Sequence, residues 1–125
     1  MKTIINTKKA PAPIGPYSQA VIINNFMYAS GQIAINPENN QLVLDNIIEE
    51  TTQVMKNIQA LLEEAGLSFD HVVKTSIFLS DMSLFAQVNE VYGSYFKKDF
   101  PARETVAVAG LPKGVNVEIS IIATT

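Results

Sequence analysis

The stretch Ile47-Ile48-Glu49-Glu50-Thr51-Thr52-Gln53-Val54-Met55-Lys56-Asn57-Ile58-Gln59-Ala60-Leu61-Leu62-Glu63-Glu64-Ala65-Gly66 decides how the rest of the chain is read. Its apolar positions fall at 47/48, 51, 54/55, 58, 61/62 and 65, a stripe of helical period, with Glu49, Glu50, Gln53, Lys56, Glu63 and Glu64 outside it. Asp45 or Asn46 can cap the start of this helix, and Gly66 is placed to end it in the left-handed conformation. Such a helix needs an apolar surface to lie on, and strand-type segments flank it on both sides. Upstream, Ala20–Ile23 and Phe26–Ser30 read as a hairpin about Asn24-Asn25, a residue type that tolerates the positive φ of a tight turn. Downstream, His71–Leu79 is a β-branched run. A second helical stripe follows, with Phe85, Val88, Tyr92, Tyr95 and Phe96 inward, Asp81 or Ser83 as cap, and Lys97-Lys98 near the negative end of its dipole before Pro101 stops it. The end of the chain reads as another hairpin, Arg103–Ala109 and Gly114–Ala123, joined through Gly110-Leu111-Pro112-Lys113. The order β-β-α-β-α-β-β implies an α+β architecture, one mixed β-sheet with both helices packed on one face. Nothing in the chain remains to cover the other face, so subunits of a closed homo-oligomer are expected to do so.

Composition narrows the function classes. The 125 residues are 47% hydrophobic and 17% charged, which fits one compact domain over residues 1–125 rather than a solvated linker. Residues 10–18 form an irregular segment, because three prolines fix φ and remove ladder donors. A net charge of −3, with basic residues scattered or in the doublets Lys8-Lys9 and Lys97-Lys98, argues against nucleic acid as a principal partner. There is no cysteine, and hence no disulfide, thiolate zinc site or cysteine nucleophile. The one histidine, His71, leaves no metal cluster and no Ser-His-Asp relay, and is expected to be structural or on the surface. No apolar run has the length of a signal peptide core or a membrane span, so a cytoplasmic location is expected.

The chain has a single arginine, Arg103, in Pro101-Ala102-Arg103-Glu104-Thr105-Val106. A guanidinium presents a planar fork of donors that matches a carboxylate bidentately, which the lysines cannot copy. Its candidate companion is Glu118, the one acid in the last strand. If the terminal hairpin pairs valines with valines, 106 with 117 and 108 with 115, Thr105 lies opposite Glu118 and Arg103 is its diagonal neighbour, about 7–8 Å away. Both side chains then share the less apolar face. Two readings follow: a plain cross-strand salt bridge, or an anion site with a carboxylate beside it. Other residues are equally two-sided. Tyr17 packs on its prolines or lines a cleft, Asn89 ties helix to loop or contacts a ligand, and Thr105 serves strand propensity or a cleft wall.

The string Pro-Ala-Arg-Glu-Thr-Val…Leu-Pro-Lys-Gly…Val-Glu-Ile-Ser-Ile-Ile-Ala, with Gly15-Pro16-Tyr17-Ser18-Gln19-Ala20, Ser30-Gly31-Gln32-Ile33, Phe78-Leu79-Ser80-Asp81-Met82 and Asn89-Glu90-Val91-Tyr92, closely resembles the Rid family, also called YjgF-type. The resemblance covers essentially the whole chain. It implies a chorismate-mutase-like fold, a homotrimer with ligand clefts between subunits, and cofactor-independent hydrolysis of 2-imino acids such as 2-iminobutanoate and 2-iminopropanoate to 2-oxo acids. By the same resemblance Arg103 holds the substrate carboxylate, Glu118 holds the attacking water, and Tyr17, Ser30, Gly31 and Asn89 line the cleft. The chemistry of such a site adds the expectation that a backbone group near Gly31 contacts the imine. Where several members have cysteine two residues after the arginine, this chain has Thr105, so a thiol plays no part. Two other activities are attributed to relatives: metabolite sensing through the same cleft, which also needs Arg103, and ribonuclease or translation-inhibitor activity, which the acidic balance disfavours.

Overall fold

The computed structural model covers residues 1–125. The elements in chain order are β1 (Thr3–Ile5), β2 (Ala20–Ile23), β3 (Phe26–Gln32), β4 (Ile35–Asn36), β5 (Gln41–Leu42), α1 (Ile47–Glu64), β6 (Val72–Leu79), α2 (Phe85–Gly93), β7 (Ala102–Ala107) and β8 (Val117–Thr124). Helix α1 starts as its sequence predicts: the Asn46 side chain accepts the Glu49 N–H at 2.9 Å, and Gly66 (φ +75°) follows the last turn. Val54, Met55, Ile58, Leu61 and Leu62 bury the expected stripe. Three polar residues of the helix are equally buried, Thr51 within the stripe and Asn57 and Glu50 beside it. Asn57 donates to the carbonyls of Ile33 and Ile35, at 3.1 and 2.9 Å, fastening the small β4–β5 hairpin to the helix, and Glu50 is fully enclosed instead of lying on the polar side.

Six strands form one mixed sheet in the order β1-β2-β3-β8-β6-β7. The β2–β3 hairpin turns at Asn24 and Asn25, both with positive φ (51° and 67°), as their residue type implies. The terminal hairpin, by contrast, does not form. β8 lies between β3 and β6, antiparallel to both, while β7 runs parallel to β6 on the sheet edge, from Lys74↔Ala102 to Leu79↔Ala107. Side-chain alternation assigns faces but not partners, and the β6-α2-β7 segment is long enough for the crossover that a parallel pair requires. The loop from Gly110 carries the chain away through Lys113 (φ 56°) and Gly114 (φ 67°) to the central position. The burial of β8 suits that place: Val117, Ile119, Ile121 and Ala123 are at most 3% exposed, whereas most of β7 is exposed, as an edge strand is.

Helix α2 is shorter than its stripe suggests. It ends at Gly93, and the Ser94 hydroxyl donates to the Val91 carbonyl at 2.6 Å. Tyr95 and Phe96 therefore reach the core from a turn, packed on Phe69 with ring centroids 5.2 and 5.4 Å away, and Lys97-Lys98 lie beyond the helix. His71 closes a capping box with Ser68 in the turn before β6, a structural role.

Both helices pack on the face that carries Met27, Ile77, Leu79, Ile119 and Ile121. The opposite face presents Ile4, Ile23, Tyr28, Val73 and Val106, each 38–49% exposed, and no element of the chain lies over it. On that face Lys74 and Glu104 form the chain's one salt bridge, 2.8 Å, with Ser76 also hydrogen-bonded to Glu104; the two contacts hold the Glu104 carboxyl below the usual carboxylate range.

Candidate functional site

The face without helices carries Glu118. Phe78 of β6 pairs with it on one side, and on the other β3 bulges between Ala29 and Gln32. The bulge brings Gly31 against the carboxyl so closely that a Cβ there would lie 2.7 Å from Glu118 Oε2. Gly31 is thus required by proximity, not by a positive φ. Tyr17, Ser30, Gly31, Ile33, Pro112 and Glu118 contribute to a cleft of about 370 Å3, largely apolar. Glu118 has no ion-pair partner within the chain, and burial pushes its carboxyl above the usual range. A half-buried, unengaged carboxylate of this kind can hold a water and take a proton from it. Gly31→Ala is expected to fold normally while displacing this carboxyl. Any turnover that uses it as a base should fall about tenfold or more, since an error of about 1 Å in a reacting group can cost more than that. Normal turnover in a variant whose crystal structure shows Glu118 displaced would contradict the role given to the acid.

The wall of the cleft depends on a residue to which sequence reading gave no role. Gln19 is 2% exposed; its amide donates to the carbonyls of Thr7, Ala10 and Pro11 at 2.9–3.2 Å and accepts the Thr7 N–H at 2.7 Å. It pins the proline segment that borders the cleft. A lone amide after a proline-rich segment, whose carbonyls outnumber their donors, is the sequence signal that could have found it. Ser30 is likewise engaged, donating its hydroxyl to the Ser18 carbonyl at 2.6 Å and its N–H to Gln19 at 2.9 Å.

Arg103 lies elsewhere. In the parallel register it neighbours Thr75, whose hydroxyl meets the Tyr92 hydroxyl at 2.9 Å under α2, so Arg103 projects from the helix-bearing face. Its Nη1 donates to Asn89 Oδ1 at 2.6 Å, and its Cζ sits 5.5 Å from the Phe85 ring and 5.1 Å from the Tyr92 ring. Asn89 on α2 is thus the tie that aims the guanidinium, and the two rings add cation–π attraction. No acid pairs with it, which rules out the plain salt bridge within the chain. Four N–H donors remain for an anion. Asn89, Tyr92, Phe100, Pro101 and Arg103 border a second cleft of about 450 Å3. Burial pushes the Tyr92 hydroxyl up, against the opposing pulls of Thr75 and Arg103.

The expected juxtaposition of Arg103 and Glu118 is therefore corrected: they stand two strands apart on opposite faces of one sheet. Thr105 is not opposite Glu118 either. It pairs with Ile77, on the same side as Arg103, and its hydroxyl is buried without a partner. The structure brings together Tyr17, Ser30, Gly31 and Glu118 in one cleft, and Asn89 with Arg103 in another. No helix is long and apolar enough to cross a membrane.

A family model described as Endoribonuclease L-PSP matches residues 7–125. A proposed regulator, AldR, of Lactococcus lactis is 53% identical over 120 residues, 96% of this chain and 95% of that protein. The human 2-iminobutanoate/2-iminopropanoate deaminase is 47% identical over 123 residues, covering 98% and 90%. Among solved structures, a Rid protein of unknown function from Yersinia pestis superposes with a TM-score of 0.98 at 52% identity over all of both chains. E. coli TdcF with bound serine gives 0.94 at 36% identity, covering 98% of each. Six strands in mixed order with two helices on one face is the chorismate-mutase-like arrangement of the YjgF structures. Matched almost end to end by sequence and by backbone, the chain belongs to the Rid family, also called YjgF or L-PSP.

Proposed function

We propose that this protein hydrolyses small 2-imino or enamine acids, such as 2-iminobutanoate and 2-iminopropanoate, to 2-oxo acids and ammonia without a cofactor. It works as a homotrimer in which the Arg103 half-site of one subunit meets the Glu118 half-site of the next. The observation that carries this reading is the placement of an oriented, unpaired guanidinium and a half-buried, unengaged carboxylate on opposite faces of one sheet. One chain cannot bring them together, whereas a heterologous contact in a closed ring can. The uncovered apolar face supplies a surface for that contact. The deaminase name of the human relative supports the activity, and the serine bound to TdcF supports a ligand with a carboxylate beside a nitrogen-bearing carbon.

The chemistry asks little. Arg103 takes the substrate carboxylate in its fork, Asn89 keeping the fork aimed. Glu118 removes a proton from water as the water oxygen bonds to the C=N carbon and the π pair passes to nitrogen, to which Glu118 returns that proton. As the carbinolamine collapses, Glu118 carries its hydroxyl proton to the same nitrogen, C–N breaks, C=O forms and ammonia leaves with the carboxylate regenerated. At about 1.4 kcal/mol per tenfold in rate, positioning water and substrate is enough to accelerate a reaction that already proceeds unaided.

A sensor that binds the same ligands without turning them over is the second reading, favoured by the name of AldR. The two separate on turnover: 2-iminobutanoate generated by a threonine dehydratase should yield 2-oxobutanoate faster with this protein present, and saturable binding without acceleration would favour the sensor. Subunit sharing has its own test. Mixing Arg103→Ala and Glu118→Gln subunits in equal amounts should restore about a quarter of wild-type activity, because a quarter of randomly formed interfaces then pair an intact arginine with an intact glutamate. Mixed oligomers that remain inert would overturn it.

A further inference from the structure

Glu50 is the fully buried acid of the chain, 0% exposed, and has no cationic partner. An ionised side chain in that position is costly unless hydrogen bonds replace its water. They do. Oε2 accepts the Asn116 N–H at 2.7 Å and the Val117 N–H at 3.2 Å, and Oε1 accepts the Asn116 amide at 2.9 Å. The other polar atoms of Asn116 are held from the opposite side, its carbonyl by the Ser80 N–H and its Oδ1 by the Ser80 hydroxyl, both at 2.9 Å.

The place of this clamp gives it meaning. The β3–β8 ladder runs from Phe26↔Thr124 only as far as Gln32↔Ile119, past the bulge that brings Gly31 to Glu118. Val117 opens β8 and Asn116 precedes it, with no strand paired to either on that side, and the bulge that interrupts the ladder is the one that holds Gly31 against Glu118 in the cleft. Glu50 takes over the missing strand's role as acceptor, reaching from α1 across to the backbone. β8 can thus run into Glu118 with the N–H groups of 116 and 117 satisfied although no strand pairs with them there. A buried charge is seldom the best device for stability alone, since apolar replacements commonly equal it.

We propose that Glu50 is a positioning residue for Glu118, its carboxylate serving as a surrogate strand edge that fixes the 116–117 peptide and so aims the acid into the cleft. The kinetic part of this assignment rests on the deaminase reading; the spectroscopic part does not. In Glu50→Gln one acceptor becomes a donor facing the Asn116 amide. The expected result is a kcat about tenfold lower with KM for 2-iminobutanoate changed less than about twofold. In the ligand-free protein, the 13C carboxyl resonance of Glu118, assigned by its loss in Glu118→Gln, should titrate at lower pH than in wild type as water reaches the loosened cleft. A purely structural Glu50 would lower Tm and leave both readouts unmoved, and that result overturns the proposal. Should Glu50→Gln fail to fold, Asn116→Ala, which removes one donor and the link to the Ser80 hydroxyl while keeping both backbone bonds to Glu50, should show the same two changes at smaller size. An unchanged Glu118 titration in that variant would equally overturn it. If wild-type protein shows no acceleration, the deaminase reading fails, while the Glu118 titration still decides the role of Glu50.

Discussion

Arg103→Ala is expected to lower kcat/KM for 2-iminobutanoate by about 10²–10³, the range found when one partner of a hydrogen-bonded charge pair is removed, at about 1.4 kcal/mol per tenfold. The fold should survive. Arg103 lies exposed on the edge strand β7, and its contacts within the chain are one hydrogen bond to Asn89 and two ring faces, so truncation removes little packing. Arg103→Lys is the sharper experiment. It keeps the charge but offers a compact ammonium that cannot bond Asn89 and a carboxylate as a planar fork does, so it should recover less than about tenfold of the loss. Steady-state kinetics with the oligomeric state checked by light scattering would decide it. Wild-type turnover in Arg103→Ala would remove the anion site from the mechanism.

Glu118→Gln is the second large effect. General-base removal typically costs about 10²–10⁴ in rate, and the amide preserves the shape of the cleft, so kcat should fall by at least about 10² while a bound 2-oxo acid loses affinity only a few-fold. The reverse pattern would make Glu118 a ligand contact alone. The pH profile gives an independent check. Burial raises the pKa of this carboxyl, so the ionised form needed to take the proton is present above that raised value and is lost as pH falls through it. The acid limb of kcat/KM should therefore be set by this carboxyl, burial pushing it up, and disappear in Glu118→Gln. A neighbouring subunit's guanidinium would draw the limb down, so Arg103→Ala should move it up.

What could be read from residues alone depended on how local each signal was. The α1 stripe, its Asn46 cap, Gly66 and the Asn24-Asn25 turn are all determined within a few residues of themselves, and each formed as expected. Alternation likewise assigned Glu118 to the less apolar face of β8, where it stands with Ser120 and Ile122. Strand partnership is not local. Gly110-Leu111-Pro112-Lys113 resembled a hairpin loop, yet β7 takes its partner across a helix, and that single error put Arg103 and Thr105 on the wrong side of the sheet. Counting residue types still singled out the two groups on which the proposed function rests, because a solitary arginine and a solitary strand acid stand out however the strands are arranged. Glu50 was hidden for the opposite reason: acids belong outside by default, and only the interrupted β3–β8 ladder explains one within.

The split between the two faces has a further result for any cell that uses this protein. With no unimolecular route to the proposed chemistry, specific activity must decline on dilution below the dissociation constant of the ring, so the enzyme would report its own abundance: scarce chains would be silent, and capacity would rise more steeply than protein level.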